Sequence, residues 1–265
     1  MPLEKSEAII LKSFNWSESS RMVVFFSEQF GKLKLTDRGG RSMKSKRGRL
    51  TPFARLDLTF YLSEKQSGGY ISDSEMVELF SLERDGTLGR LAYASAACEL
   101  LYLLVPERED QPGLYRYVVS YLRLTDTVDK HSLPSLFICF FLRLLSQLGY
   151  HPSLAYCVAS GAPAEEFVPE GADVAFSAER GGIVSPPCQR PGEYYIRLSY
   201  AGFHHLKALQ TASLAEAAAH RVTFAEAAVI LEALAKFVRY QADLPANLKS
   251  LEFLDKLKKT HVTDK

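Results

Sequence analysis

The first eighty residues hold the tightest constraint on the fold: five short segments with strand character, cut by turns. "EAIILKSF" is short, apolar and β-branched. "RMVVFFSEQFGKLKLTD" reads as two strands joined by a turn at Phe30-Gly31, with Leu33 and Leu35 alternating against Lys32 and Lys34. "FARLDLTFYL" alternates again, its apolar set being Phe53, Leu56, Leu58, Phe60 and Leu62, with one irregular step near Ala54. "SGGYISDSEMVELF" supplies a Gly-Gly turn and a fifth extended segment. A period of two is that of a half-buried strand. Five such strands in so short a stretch leave few all-β solutions, and the five-stranded oligonucleotide-binding (OB) barrel is one of them.

After Ser81 the period changes. "LGRLAYASAACELLYLLV" places apolar residues at helical spacing among strong helix formers. "LYRYVVSYLRLTD" is a second helix. "LPSLFICFFLRLLSQLGY" is a third, apolar almost all round and therefore expected at the centre of a helical unit, ended by Gly149 and Pro152. From Cys157 to about Gly192 the Gly, Pro and Ala content predicts loop. Helices return afterwards. Ser213 with Glu216 and Thr223 with Glu226 have capping-box spacing, "FAEAAVILEALAKFVRYQADL" is a long amphipathic helix, and "LKSLEFLDKLKK" a short terminal one. The expected class is α+β: an N-terminal OB-type β-barrel over residues 1–80, then a helical domain over 81–265 that carries a loop-rich insertion at 157–192.

No apolar run reaches the length of a membrane span, and "MPLEKSEAIILKSF" lacks the basic-then-apolar order of a signal peptide, so a cytoplasmic protein without membrane contact is expected. Cys98 and Cys139 sit in apolar helical runs and read as buried thiols.

Charge is the second informative feature. The whole chain carries +1, yet residues 32–55 hold nine basic side chains against one acid, Asp37, and the remainder sums to −7. The densest part is "RGGRSMKSKRGR", with Arg38, Arg41, Lys44, Lys46, Arg47 and Arg49 and no acid. A charge run of this kind is often a solvated loop. Here it lies between two strands of the expected barrel, where loops line the ligand face. Gly39, Gly40, Ser42, Ser45 and Gly48 let backbone amides approach phosphate. These six cations are the candidate nucleic-acid-binding residues, neutralising phosphates and releasing counterions. Of the aromatics nearby (Phe14, Trp16, Phe25, Phe26, Phe53, Tyr61), most are expected in the core, with one or two available to stack on bases.

Other chemistry is thin. No Walker loop, no GxGxxG after a strand, no HExxH and no nucleophile elbow occurs, so no catalytic residue and no enzyme is expected. His204 and His205 are read as opening a helix in structural or surface roles. "PEREDQPG" reads as a solvated loop. Cys157 and Cys188 stand where a zinc ribbon would be, in "Cys157-Val-Ala-Ser160-Gly" and "Ser185-Pro-Pro-Cys188", each like a knuckle with one cysteine replaced. Two thiolates do not close a four-ligand site. No metal or other cofactor is expected, and the pair is held by packing or by a disulfide.

These segments resemble a known family. "EAIILKSFNWSESSRMVVFFSEQFGKL" resembles the opening of bacterial RecO recombination mediators, through Glu7 to Leu11, Glu18 to Arg21, and Gly31. "RGGRSMKSKRGRLTPF" is similar to the family's basic segment and its L-x-P-F, here Leu50 to Phe53. "LLSQLGYHPSLAYCVASG" and "GGIVSPPC" resemble its two cysteine knuckles, with Ser160 and Ser185 at two of the four cysteine positions, and "LPANLKSLEFL" its closing segment. The resemblance implies an OB barrel, a helical body and a zinc-finger insertion, here degenerate. It also implies a non-enzymatic activity: binding single- and double-stranded DNA, annealing complementary strands, and helping RecA replace single-strand-binding protein. RecR and the C-terminal tail of single-strand-binding protein are the implied partners, with RecA met indirectly. An OB-containing RNA-binding or assembly factor is the alternative that shares the basic barrel loop.

Overall fold

The computed structural model describes residues 2–40, 50–62, 68–83, 88–242 and 249–250. The chain divides into two compact units, residues 1–86 with 97–126, and residues 87–96 with 127–265.

In the first unit, β1 (Leu3–Asn15), β2 (Arg21–Ser27), β3 (Gly31–Asp37), β4 (Ala54–Leu62) and β5 (Gly69–Leu79) form a closed barrel in the order β1-β2-β3-β5-β4. All neighbours are antiparallel except β3 and β5. β1 closes the barrel by pairing twice, its first half with β4 (Leu3↔Tyr61 to Ile9↔Arg55) and its second with β2 (Ala8↔Ser27 to Asn15↔Arg21). A path through register partners from Leu3 via Tyr61, Tyr70, Thr36 and Met22 returns to β1 at Phe14, eleven residues further on. An offset of this kind means steeply tilted strands, which is how so few can close. A bulge between Ile10 and Lys12 adds local twist.

The expected alternation fills the interior. Ala8, Ile10, Val23, Phe25, Leu33, Leu35, Leu56, Leu58, Phe60 and Ile71 belong to one buried cluster, against which Phe30 and Leu62 pack. The irregular step resolves in favour of Ala54, which is buried in this core. Phe53 instead turns the chain with φ +57. α1 (Gly89–Leu104) and α2 (Pro112–Thr127) follow. The acidic segment between them is exposed but engaged. Glu107 bridges to Lys32 of β3 and forms an ion pair with Lys34, and Arg108 N donates to Lys32 O at 3.1 Å.

In the second unit, α3 (Leu133–Gln147) is central, with twelve of its fifteen residues buried, as its all-round apolar sequence predicts. It packs against α4 (Tyr200–Thr211), α5 (Leu214–Ala219) and α6 (Phe224–Gln241). Both capping boxes form: Glu216 N donates to Ser213 Oγ at 3.2 Å and Glu226 N to Thr223 Oγ1 at 3.2 Å, with the glutamates returning to the cap amides. His204 and His205 lie inside α4, which begins at Tyr200 behind the Ser199 cap, and not at its start. His205 Nδ1 sits 2.8 Å from His220 Nε2, a tie from α4 to the end of α5.

The stretch from Cys157 to Gly192 is more ordered than its Gly and Pro content predicts. It contains β6 (Val174–Ser177) and β7 (Gly182–Val184), which join β8 (Ile196–Leu198) in a sheet of order β7-β6-β8. Strands of three and four residues carry too little periodicity to be read locally. Their stability comes from pairing across chain separations that no window covers. The terminal helix expected in "LKSLEFLDKLKK" lies, beyond Lys249 and Ser250, outside the described residues.

Candidate nucleic-acid interface

The root of the basic stretch is built around Asp37. Its buried carboxylate accepts from Arg21 Nε at 2.8 Å, across a register pair of β2 and β3. Gly39 follows with φ +73, and a Cβ at Gly40 would overlap the same carboxylate, so the chain leaves β3 by a turn that only a side-chain-free residue fits. Arg38 is exposed there and lays its guanidinium over the Tyr70 ring at 4.3 Å. Tyr70 in turn stacks on Tyr61 at 4.7 Å with the rings 27° apart. Of the six candidate DNA-binding residues, Arg38 is therefore the one placed. Arg41, Lys44, Lys46, Arg47 and Arg49 lie outside the described residues.

The remaining cations of residues 32–55 are occupied by the protein itself. Lys32 is buried, donates to Tyr102 O at 2.7 Å, and has its pKa lowered by that burial. Lys34 pairs with Glu107. Arg55 pairs with Glu7 at 2.9 Å and Glu78 at 3.2 Å, and Glu78 is also held by Arg123 at 2.7 Å. The local excess of charge thus narrows to the segment that starts at Arg38.

The aromatics separate as well. Phe25 and Phe26 are buried. Trp16, in the turn between β1 and β2, is 67% exposed, although its backbone is pinned by Trp16 N and Ser17 N donating to Ser20 O, each at 3.1 Å. Tyr70 was not among the aromatics singled out from sequence. Its neighbours Arg38 and Tyr61 are 32 and 9 residues away, and only the β3–β5 and β4–β5 registers join them.

Comparison with known proteins agrees with this architecture. Residues 1–80 match the family model described as Recombination protein O N terminal, and residues 86–252 that described as Recombination protein O C terminal. The chain belongs to the RecO family. It is similar to the DNA repair protein RecO of Symbiobacterium thermophilum, 33% identical over 97% of this chain and 99% of that one. The RecO of Pelotomaculum thermopropionicum is 30% identical over 97% and 95%. That of Cutibacterium acnes is 32% identical over 72% and 76%. The resemblance read from the opening, the basic segment and the cysteine knuckles therefore holds across both halves, and places the chain in DNA repair and recombination.

The RecO resemblance also raised a zinc finger, and the donor set at 157–188 does not fit one. Among the described residues no three His, Cys, Asp or Glu side chains converge as ligands. Cys157 and Cys188 are both free thiols, so the disulfide alternative is not formed. Ser185 turns onto the Cys157 sulfur instead, its N–H at 3.2 Å and its hydroxyl at 3.4 Å. Burial would raise this thiol, but hydrogen bonds from Ser160 and Ser185 outweigh it and hold the pKa down to about 6. Cys98, buried with no such donors, is pushed up to about 12. Among the described residues, no helix is long and apolar enough to cross a membrane.

Proposed function

We propose that this chain is a cytoplasmic, non-enzymatic recombination mediator. Residues 1–80, an OB-type barrel, bind single- and double-stranded DNA through Arg38, Arg41, Lys44, Lys46, Arg47 and Arg49. The protein anneals complementary strands and assists RecA loading onto DNA covered by single-strand-binding protein, with RecR and the C-terminal tail of that protein as partners. The helical residues 81–265, with the 157–192 insertion, form the body. The observation that supports the reading is the root at Asp37: a buried carboxylate, a glycine turn, and Arg38 over an aromatic stack, at the start of a stretch whose sequence is purely basic. Annealing brings two polyanions together, and concentrated cations where they meet lower their repulsion without reading sequence.

The test is fluorescence anisotropy of a labelled single strand across a salt series. The native protein is compared with a variant carrying Arg41→Ala, Lys44→Ala, Lys46→Ala and Arg47→Ala. Each lost phosphate contact removes about 0.7 from the slope of log K against log salt on a single strand. A flattening of about 2–3 is expected. Equal slopes would remove the segment from the interface.

A further inference from the structure

In the second unit, side chains from α4, the end of α5 and the start of α6 meet. His205 lies within α4, His220 is the C-cap of α5, and Glu226 closes the capping box of α6. All three are half-buried. His205 Nδ1 stands 2.8 Å from His220 Nε2, with the two rings 83° apart. The other His205 nitrogen, Nε2, stands 3.9 Å from Glu226 Oε2. The His220 backbone is held as well. Its N–H donates to Glu216 O at 2.9 Å, and its carbonyl accepts from the neutral Ser135 hydroxyl of α3 at 2.7 Å. The charged groups nearby have partners of their own. Glu216 accepts from Ser213 N at 2.7 Å, Arg221 meets Asp129 at 3.3 Å and Ser132 Oγ at 2.7 Å, and Lys207 meets Glu165 at 2.7 Å. His204 packs its ring on Tyr200 and Phe203.

Two nitrogens at 2.8 Å form a hydrogen bond only while one carries a hydrogen and the other a lone pair. A first added proton preserves the bond: with His205 charged, Nδ1–H donates to His220 and Nε2–H faces the Glu226 carboxylate. A second sets N–H against N–H between two positive rings, and the bond is lost. Burial, and then the His205 charge, hold His220 below its ordinary 6.5. The Glu226 carboxylate, held below its ordinary 4.5 chiefly by the Thr223 hydroxyl, stays charged over the same range. We infer that His205 and His220 form a proton-operated latch, which holds the end of α5 to α4 while His220 is neutral and lets it go when both rings are charged. The folded state binds the second proton less tightly than the unfolded chain. The latch therefore contributes in full above about pH 6.5, and its contribution is lost as pH falls below that value. It stands independently of the DNA-binding reading.

The test is an NMR titration of the full chain with labelled histidine rings, from about pH 8 to about pH 5. Hydrogen exchange of the 214–219 amides is followed alongside it, as protection factors, so that the intrinsic pH dependence of exchange cancels. The 205–220 pair is expected to titrate in two separate steps, the second below 6.5. Protection of 214–219 should fall roughly three- to tenfold between about pH 7.5 and about pH 5.5, tenfold being the ceiling for one proton one unit below 6.5. His220→Gln keeps a neutral side chain that donates to His205 Nδ1 and takes no proton, so its protection should stay level across the same range. A single common step near the ordinary histidine value overturns the latch. So does native protection that stays level, or that falls as far in His220→Gln as in the native protein. If His220→Gln does not fold, the two titration steps and the native protection factors decide between the same outcomes.

Discussion

The barrel and the 153–198 ribbon, which holds β6, β7 and β8, are both small β structures with apolar interiors, and the ribbon adds a buried sulfur. In the barrel the centre is apolar: Phe25, Phe60 and their neighbours exclude water, and closure leaves few backbone groups unpaired. In the ribbon Val174, Phe176, Ile183, Val184, Ile196 and Leu198 are buried, and beside them lies a buried sulfur. Cys157 Sγ accepts from Ser185 N at 3.2 Å and lies 3.4 Å from the Ser185 hydroxyl.

The difference can be broken from either side. The largest effect is expected from Phe60→Ala, which empties the barrel core at a fully buried site and costs about 3–5 kcal/mol. Denaturant unfolding should show it, and DNA affinity should fall with the folded fraction. Gly182→Ala comes next. A Cβ there would overlap the Ser153 carbonyl, so the ribbon must deform, at a cost of about 2–3 kcal/mol. Hydrogen exchange should speed up across residues 153–198 while barrel amides and DNA affinity keep their native values. Loss of DNA binding in this variant would place the ribbon in the interface.

Cys157→Ala is the smallest and the most specific. It strands the Ser185 donors, at about 1–2 kcal/mol. It should also remove a pH dependence. The native thiol lies near 6 against an ordinary 9.0, so the unfolded chain binds the proton more tightly. Its stabilisation is therefore full above about pH 9 and is lost as pH falls toward 6. Thermal unfolding of native protein should weaken over that window relative to Cys157→Ala. Parallel curves would mean that the sulfur is not the organising acceptor.

The legible parts of the fold were those governed by local periodicity. Leu56, Leu58 and Phe60 announce an inward face, α3 its burial on all sides, and Ser213-Glu216 and Thr223-Glu226 their caps. Residues whose role depends on distant partners were not legible. Val174–Ser177 and Gly182–Val184 are strands because of each other and of β8, and their Gly-rich surroundings read as loop. The site divided in the same way. Composition located the basic segment and its opening residue, Arg38. Tyr70 required a parallel register between β3 and β5 that no sequence window contains. The hydrogen bond from Lys32 to the Tyr102 carbonyl, and the pairing of Lys34 with Glu107 and of Arg55 with Glu7 and Glu78, were invisible to charge counting for the same reason.

The double use of β1 has a consequence for how the protein is made. Leu3 leaves the ribosome 58 positions before its partner Tyr61, and the β3–β5 seam waits for Tyr70. Hairpin pairing of β1 with β2 and β2 with β3 can begin early, but the ring cannot shut until β5 has been synthesised. Pairings of such long sequence separation make folding slow. Until then the leading half of β1 is an unpaired edge, open to the wrong strand from the same chain or a neighbouring one. Alternating charges at Glu4, Lys5 and Glu7 lie on that waiting edge, where they disfavour pairing with anything but the strand that carries Arg55 and Asp57 to meet them.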